Sequence, residues 1–287
     1  MNAANTATAL REKIVARDLS LTYTNAQTDT HHTVLKRFDL AVREGEFMAL
    51  LGPSGCGKST FLNVLAGLTL PTSGDIRVDG DPVSAVRQKL GFVFQGYALF
   101  PWRTVRKNVE AGLEIRGMKR AARRSEAERF LRLVGLLEFA DHYPHQLSGG
   151  MRQRVAIARA LAYRPEILLM DEPFGALDAQ TRELLQQELL AIWEQSATTV
   201  VFVTHSIDEA IFLSDRVAVL GRGPGRVKEI IDVDLPRPRD AALRHSAAFV
   251  ALRQRAWASL STELDTRLDA QPQTHALTGA DHVRFDV

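Results

Sequence analysis

Residues 46–68 read EFMALLGPSGCGKSTFLNVLAGL. Glu46–Leu51 is a short apolar run, strand-sized, and it stops at a glycine-rich loop. Beyond the loop, Phe61, Leu62, Val64, Leu65 and Leu68 fall at helical spacing. The order is strand, loop, helix. Upstream, Ile14–Tyr23 alternates as a strand and Val34–Val42 as another, with the polar stretch Thr24–Thr33 as the turn between them. Downstream, Ile76–Val78 and Gly91–Gln95 read as further strands. From about 97 to 147 the character changes: Val105–Gly117 and Arg123–Val134 carry helical spacing and many charges, which predicts a helical insertion. The alternation then resumes as helix Gly149–Ala162, strand Ile167–Met170, helix Thr181–Gln195, strand Thr199–Val203, helix Ile207–Leu213 and strand Val217–Leu220. Such a rhythm predicts an α/β fold with a mostly parallel sheet covered on both faces. An antiparallel β part precedes it, and Pro224-Gly225 turns the chain into a last strand near Arg226–Val233. The expected organisation is a flexible start (1–12), one domain (13–236), a short helical extension (237–268) and a disordered tail (269–287).

Composition narrows the class. The 287 residues are 45% hydrophobic and 24% charged, typical of a globular protein with a sizeable core. A single cysteine, Cys56, rules out an intrachain disulfide and suits a reducing compartment. The net charge of +2 does not call for nucleic acid as a partner. The start, MNAANTATALRE, lacks the apolar centre of a signal peptide, and no run approaches the about 20 apolar residues of a membrane span. Service to a membrane therefore implies a partner that spans it.

The loop itself, GPSGCGKST at 52–60, fits the phosphate-loop pattern of P-loop NTPases through Gly52, Gly57, Lys58 and Ser59. The glycines let the backbone curl so that successive N–H groups from Gly52, Pro53, Ser54, Gly55, Cys56, Gly57, Lys58, Ser59 and Thr60 (Pro53 excepted) gather around phosphate oxygens. The helix that follows adds its positive end. Lys58 is placed for the β- and γ-phosphates of ATP, and Ser59 for Mg2+. Cys56 reads as a small loop filler rather than a redox centre. The strand Ile167–Met170 ends in Asp171, Glu172 and Pro173. A parallel strand delivers its last residues to the ligand-binding edge, where Asp171 is a hard oxygen ligand for Mg2+ and Glu172 can polarise a water.

These features define a very large superfamily. The stretch Leu147-Ser148-Gly149-Gly150-Met151-Arg152-Gln153 narrows it, because it resembles the signature of ABC ATPases with Met151 in place of the usual glutamine. Ser148 can cap the helix opening at Gly149, and Gly149 and Gly150 expose N–H groups to an anion. Other pieces follow in the family's order. Gln95 resembles the Q-loop glutamine that contacts Mg2+ and water, and Ala176-Leu177-Asp178 resembles the D-loop. His205 resembles the switch histidine, and Tyr23 stands where the family stacks an aromatic on adenine. The resemblance covers about Ile14 to Asp234.

The resemblance implies an ATPase that pairs with a second copy of itself, each phosphate loop completed by the other copy's Ser148–Met151 segment, with Asp178 communicating across the dimer. It further implies a membrane-spanning permease, a substrate-binding protein engaged indirectly, and a peripheral position on the cytoplasmic face of the cell membrane. Pro101-Trp102 and the string LGRGPGRV at 220–227 resemble the nitrate, taurine and alkanesulfonate importer branch; sulfonate, nitrate or another small anion stays open as substrate. Trp102 is either a docking surface or a packing residue, and the basic stretch 116–124 (RGMKRAARR) either meets lipid or is a solvated face. The rivals fit less well. A repair or translation ATPase would carry long heptads or a tandem domain, and a GTPase would carry a base-reading NKxD motif.

Overall fold

The computed structural model describes residues 11–25, 27–196 and 198–265. Strands β1 (Glu12–Asn25), β2 (Thr30–Arg43), β4 (Ser73–Val78) and β5 (Asp81–Pro82) form an antiparallel sheet in the order β2-β1-β4-β5. Strands β3 (Phe47–Leu51), β6 (Leu90–Val93), β7 (Ile167–Asp171), β8 (Thr199–Thr204), β9 (Arg216–Leu220) and β10 (Val227–Asp232) form a second sheet, ordered β10-β9-β3-β8-β7-β6. It is parallel throughout except for β10, which closes an antiparallel hairpin with β9. The α-helices among the described residues are α1 (Lys58–Leu65), α2 (Val105–Ile115), α3 (Arg120–Leu133), α4 (Gly149–Ala162), α5 (Ala179–Glu194), α6 (Ile207–Leu213) and α7 (Ala247–Asp265).

The side-chain period of a strand sorts the core in two. In β3 every residue is buried, Met48 and Leu50 on one face, Phe47, Ala49 and Leu51 on the other. Strand β7 divides likewise into Ile167 and Leu169 against Leu168 and Met170, and β8 into Val201 and Val203 against Val200 and Phe202. One face joins the antiparallel sheet and α1 in a core around Phe38 and Phe61, whose rings stack at 4.5 Å. The other faces the remaining helices, and that core runs unbroken into the helical insertion through Val105, Val109, Ala127 and Phe130. Continuous apolar strands are what a sheet covered on both sides demands.

Several boundaries differ from the expectation. The turn between β1 and β2 is shorter, because both strands continue into the polar stretch, where cross-strand pairs such as Thr22–Thr33 hydroxyls at 3.0 Å sustain them. Strand β6 ends at Val93, so Gln95 lies in the following turn rather than closing the strand. The extension is no short helix: α7 runs 19 residues and seats Phe249 and Ala256 in the helical-side core. Arg239 secures its approach by donating to the carbonyls of Ile211, Phe212 and Ser214 at 2.8–3.1 Å, satisfying the end of α6. Burial pulls the Arg239 pKa down to about 10, so the guanidinium is still charged at neutral pH. The expected flexible start and disordered tail fall almost entirely outside the described residues.

The two sheets are pinned by one buried charge. Lys13, on β1, places its ammonium 2.9 Å from both Asp79, just past β4, and Glu166, just before β7. Burial opposes the Lys13 charge, but Glu166 and Asp79 outweigh it and raise the ammonium's pKa. Burial likewise works against Asp79, yet its bonds from Lys13 and Lys89 leave it below the usual carboxylate range; the Lys13 bond does the same for Glu166. Carboxylates held low stabilise the fold above their unfolded values of about 4, and that contribution drains away below there as pH falls through the lowered folded values. Replacing Lys13 by Met is expected to cost about 1–2 kcal/mol at neutral pH and to flatten the acid limb of stability between about pH 5 and 3. Urea unfolding at stepped pH measures both; an acid limb as steep as that of the parent chain would show that the cluster contributes nothing.

Candidate functional site

Parallel register brings three strand ends to one level. Leu51 pairs with Thr204, and Asp171 with Val203, so the segments leaving β3, β7 and β8 start side by side. These segments carry the phosphate loop, Glu172 and His205. The sheet edge that α/β folds use for ligands is therefore where the sequence motifs converge.

The phosphate loop is built for an anion. Gly57, at φ +93°, turns the chain into α1 in a conformation that an L side chain rarely adopts, and a Cβ there would also lie 2.7 Å from Leu35 Cδ2. No side chain caps the start of α1, so its first N–H groups are left to a ligand. Lys58 is buried, and its ammonium donates to the carbonyls of Gly52 at 2.8 Å and Pro53 at 2.9 Å, which hold it at the mouth of the loop. Cys56 is buried within the turn, and burial pushes its thiol pKa up, in keeping with a filler.

Ser59 Oγ donates to Asp171 Oδ1 at 2.9 Å, joining α1 to the end of β7. Burial raises the Asp171 pKa, the neighbouring Glu172 charge adds to the rise, and Ser59 and Lys58 oppose it. A cation beside Asp171 would relieve that burial. A hydroxyl and a carboxylate side by side form a hard-oxygen donor set that fits Mg2+. Gln95 is exposed and, among the described residues, hydrogen bonds to neither of them. The structure thus joins two of the three residues expected at the metal.

Glu172 stands one residue further, with φ +45°, a left-handed conformation that a non-glycine residue keeps only when its surroundings impose it. Its N–H donates to Val203 O at 3.0 Å, tying it to the strand that leads to His205. Glu172 Oε2 lies 3.3 Å from His205 Nδ1. This pair, next to the phosphate loop, can orient a water and accept its proton. Thr204 and Ser206 brace the histidine from either side. Thr204 Oγ1 donates to the buried Glu209 at 2.6 Å and accepts from Ser206 N at 3.0 Å. Burial raises the Glu209 pKa, with the Thr204 bond working against it.

The signature segment lies at the start of α4. Ser148 is the cap, its Oγ accepting from Met151 N at 3.3 Å, and Ser148 and Gly149 are exposed. Met151 packs partly buried against the helical-side core. Deeper in α4, Arg159 donates to the carbonyls of Tyr97 and Ala98, both at positive φ, and so holds the loop after Gln95. Gln153, buried within the signature string, bridges to Glu172 and Ala176. Neither contact was legible in advance, since a polar residue at a helical position carries no local sign of its distant partner; nor was the Glu209 brace.

The remaining expected residues sit apart. Asp178 caps α5, its carboxylate accepting from Thr181 N at 3.0 Å, an interaction that lowers its pKa. Tyr23 is 48% exposed on β1, opposite His32, so it is not core packing. Trp102 is 72% exposed with Phe100 beside it at 5.7 Å between ring centroids, which removes the packing alternative. In the basic stretch, Arg116 lies 3.8 Å over the Tyr163 ring, Arg123 pairs with Glu110 and Glu114, and Arg124 pairs with Glu128. These contacts tie Arg116, Arg123 and Arg124 to the surface of the helical insertion.

Residues 35–175 match the family model described as ABC transporter. An ABC transporter ATP-binding protein of Methanocaldococcus jannaschii is 56% identical over 221 residues, 77% of this chain and 82% of the relative. The nitrate import ATP-binding protein NrtC of Synechococcus elongatus is 51% identical over 211 residues, 72% of this chain but 32% of that longer protein. Among solved structures, a dimeric post-hydrolysis ATP-binding cassette bound to ADP and phosphate superposes with a TM-score of 0.72 at 37% identity, covering 78% of this chain and 100% of that one. With a phosphate loop and an acidic strand end at one sheet edge and relatives of this identity and coverage, the chain belongs to the ABC transporter family and is an ATP-binding, ATP-hydrolysing subunit.

Proposed function

We propose that this chain energises an importer of a small anion, of the nitrate, taurine or sulfonate kind, from the cytoplasmic face of the membrane. The observation that carries the transport reading is the exposed Phe100–Trp102 pair, held directly after the Gln95 turn. A large aromatic patch at that position is what a partner's helix would cover. No helix among the described residues is long and apolar enough to cross a membrane, so the pathway belongs to a permease partner. The likeness to a nitrate import subunit supports the anion class. A substrate-binding protein would meet the permease, not this chain.

Two copies would face each other head to tail. Each ATP lies on one copy's loop from Gly52 to Thr60, with its adenine on Tyr23, and is closed over by Ser148, Gly149, Gly150 and Met151 of the second copy. The exposed, capped start of α4 supports this, because its free N–H groups suit a γ-phosphate. Ser59 and Asp171, with Gln95 brought in on closure, would hold Mg2+, which supplies charge neutralisation to the phosphates. Lys58 exchanges its carbonyl partners for β- and γ-phosphate oxygens. Glu172 accepts the proton of a water whose oxygen attacks the γ-phosphorus, while the bond to the β-phosphate oxygen breaks and ADP leaves. His205, in contact with Glu172, steadies that carboxylate and the γ-phosphate. Asp178 relays the state of one site to the other.

The variant Glu172→Gln is expected to bind ATP normally and hydrolyse it about 10²–10⁴ times more slowly, the span of a lost general base. Near-normal phosphate release by that variant would remove Glu172 from the role. The same variant with ATP is expected to elute as a dimer, and with ADP as a monomer; a monomer in both would sink the head-to-tail pairing. For transport, the tagged chain is recovered from detergent-solubilised membranes. A multi-span subunit should co-purify with the parent chain and be lost with Trp102→Ala while ATP affinity is kept. Recovery of ribosomes or repair factors alone would leave the ATPase standing and end the transport reading.

A further inference from the structure

Gln153 is 2% exposed and spends both ends of its amide on one segment. Its Nε2 donates to Glu172 O at 3.1 Å, and its Oε1 accepts from Ala176 N at 3.1 Å. Glu172 O also accepts from Gly175 N at 3.1 Å, so both lone pairs of that carbonyl are engaged. Together with the bond from Glu172 N to Val203 O, these hold the left-handed backbone that presents the Glu172 carboxylate to His205. An independent contact joins the same two segments: a Cβ added at Gly150 would meet Leu177 Cδ2 at 3.3 Å and Ala176 O at 3.5 Å. The opening turn of α4 and residues 172–177 are therefore packed as one body, with a buried amide as its link. A buried amide deprived of either partner is costly, so the two segments move together or not at all.

We infer that Gln153 is a positioning residue that couples the two ATP sites of the dimer. The inference rests on the head-to-tail reading, in which the start of α4 engages the nucleotide bound by the other copy. Engagement there settles the first turn of α4. Gln153 lies in the next turn, and through it the position of α4 is imposed on the backbone of Glu172 in the same copy. ATP held by one copy's phosphate loop thus sets the hydrolytic carboxylate that serves the other ATP. Linkage makes the effect mutual.

The test uses the full-length chain and compares Gln153→Met, which keeps the volume and loses both bonds, with Gln153→Glu, which keeps only the acceptor for Ala176 N. Steady-state ATPase rates against ATP concentration are expected to give a Hill coefficient of about 2 for the parent and about 1 for Gln153→Met, the limits for two coupled and two independent sites. The kcat of Gln153→Met should fall roughly tenfold, the scale of a lost buried hydrogen bond, with nucleotide affinity measured in the Glu172→Gln background unchanged. Gln153→Glu should likewise lose cooperativity, since its bond to Glu172 is gone. A purely structural role would lower the unfolding midpoint and leave the Hill coefficient alone; cooperativity equal to the parent's in either folded variant overturns the coupling. A parent chain with a Hill coefficient of 1 likewise overturns the coupling, whereas the two-copy reading falls only if Glu172→Gln fails to form a dimer with ATP.

Discussion

Leu51, Asp171 and Thr204 end three adjacent parallel strands within one residue of each other, and everything downstream depends on that register. A slip of one residue in β7 would turn Asp171 away from Ser59 and carry Ile167 and Leu169 from one core to the other. The cost of such a slip is the misfit of every β7 side chain in a core packed for another, at about 1–3 kcal/mol for each overpacked group. The hydrophobic sorting of β3, β7 and β8 is thus also what aims the chemistry. Catalytic placement here is a by-product of a core that tolerates a single register.

Helix α4 is the second organising element, and its polar residues matter more than its apolar ones. Arg152 donates to Pro144 and Leu147 carbonyls, Arg154 to Val134 O, Arg159 to Tyr97 and Ala98 carbonyls, and Gln153 to Glu172 O. Each carbonyl belongs to a loop, a strand end or a helix end, where an added donor fixes the backbone in place. The helix that presents the signature to solvent therefore also holds the turn after Gln95, the end of the insertion and the strand end that carries Glu172. Burial lowers the Arg159 pKa, and its guanidinium supplies the fixed fork of donors that the Tyr97 and Ala98 carbonyls accept from.

The C-terminal extension is joined to the site by a similar logic. Arg244 donates to Gln186 on α5 at 2.6 Å, Gln186 donates to Glu209 on α6 at 3.3 Å, and Glu209 receives the Thr204 hydroxyl beside His205. With Arg239 on the end of α6 and Phe249 in the core, the extension is part of the framework that holds the histidine's loop. It is packed into the ATPase unit.

Local signals settled much of this in advance. Helices α4 and α6 begin where their sequences predict, because Ser148 and Ser206 cap their first turns through side-chain bonds within three residues. The phosphate loop and the acidic strand end were equally legible, since their chemistry is carried by consecutive residues between apolar runs. What tertiary structure alone decided are the contacts between segments far apart in the chain: Glu172 with His205, Gln153 with Glu172 and Ala176, Lys13 with Asp79 and Glu166. It also decided that Trp102 is exposed, that Gln95 stands beyond its strand, and that α7 docks on the core. Periodicity and capping are properties of neighbours along the chain and can be read from it. The pairing of a buried polar group is a property of the packed interior, where desolvation forces each donor to an acceptor that no local pattern names.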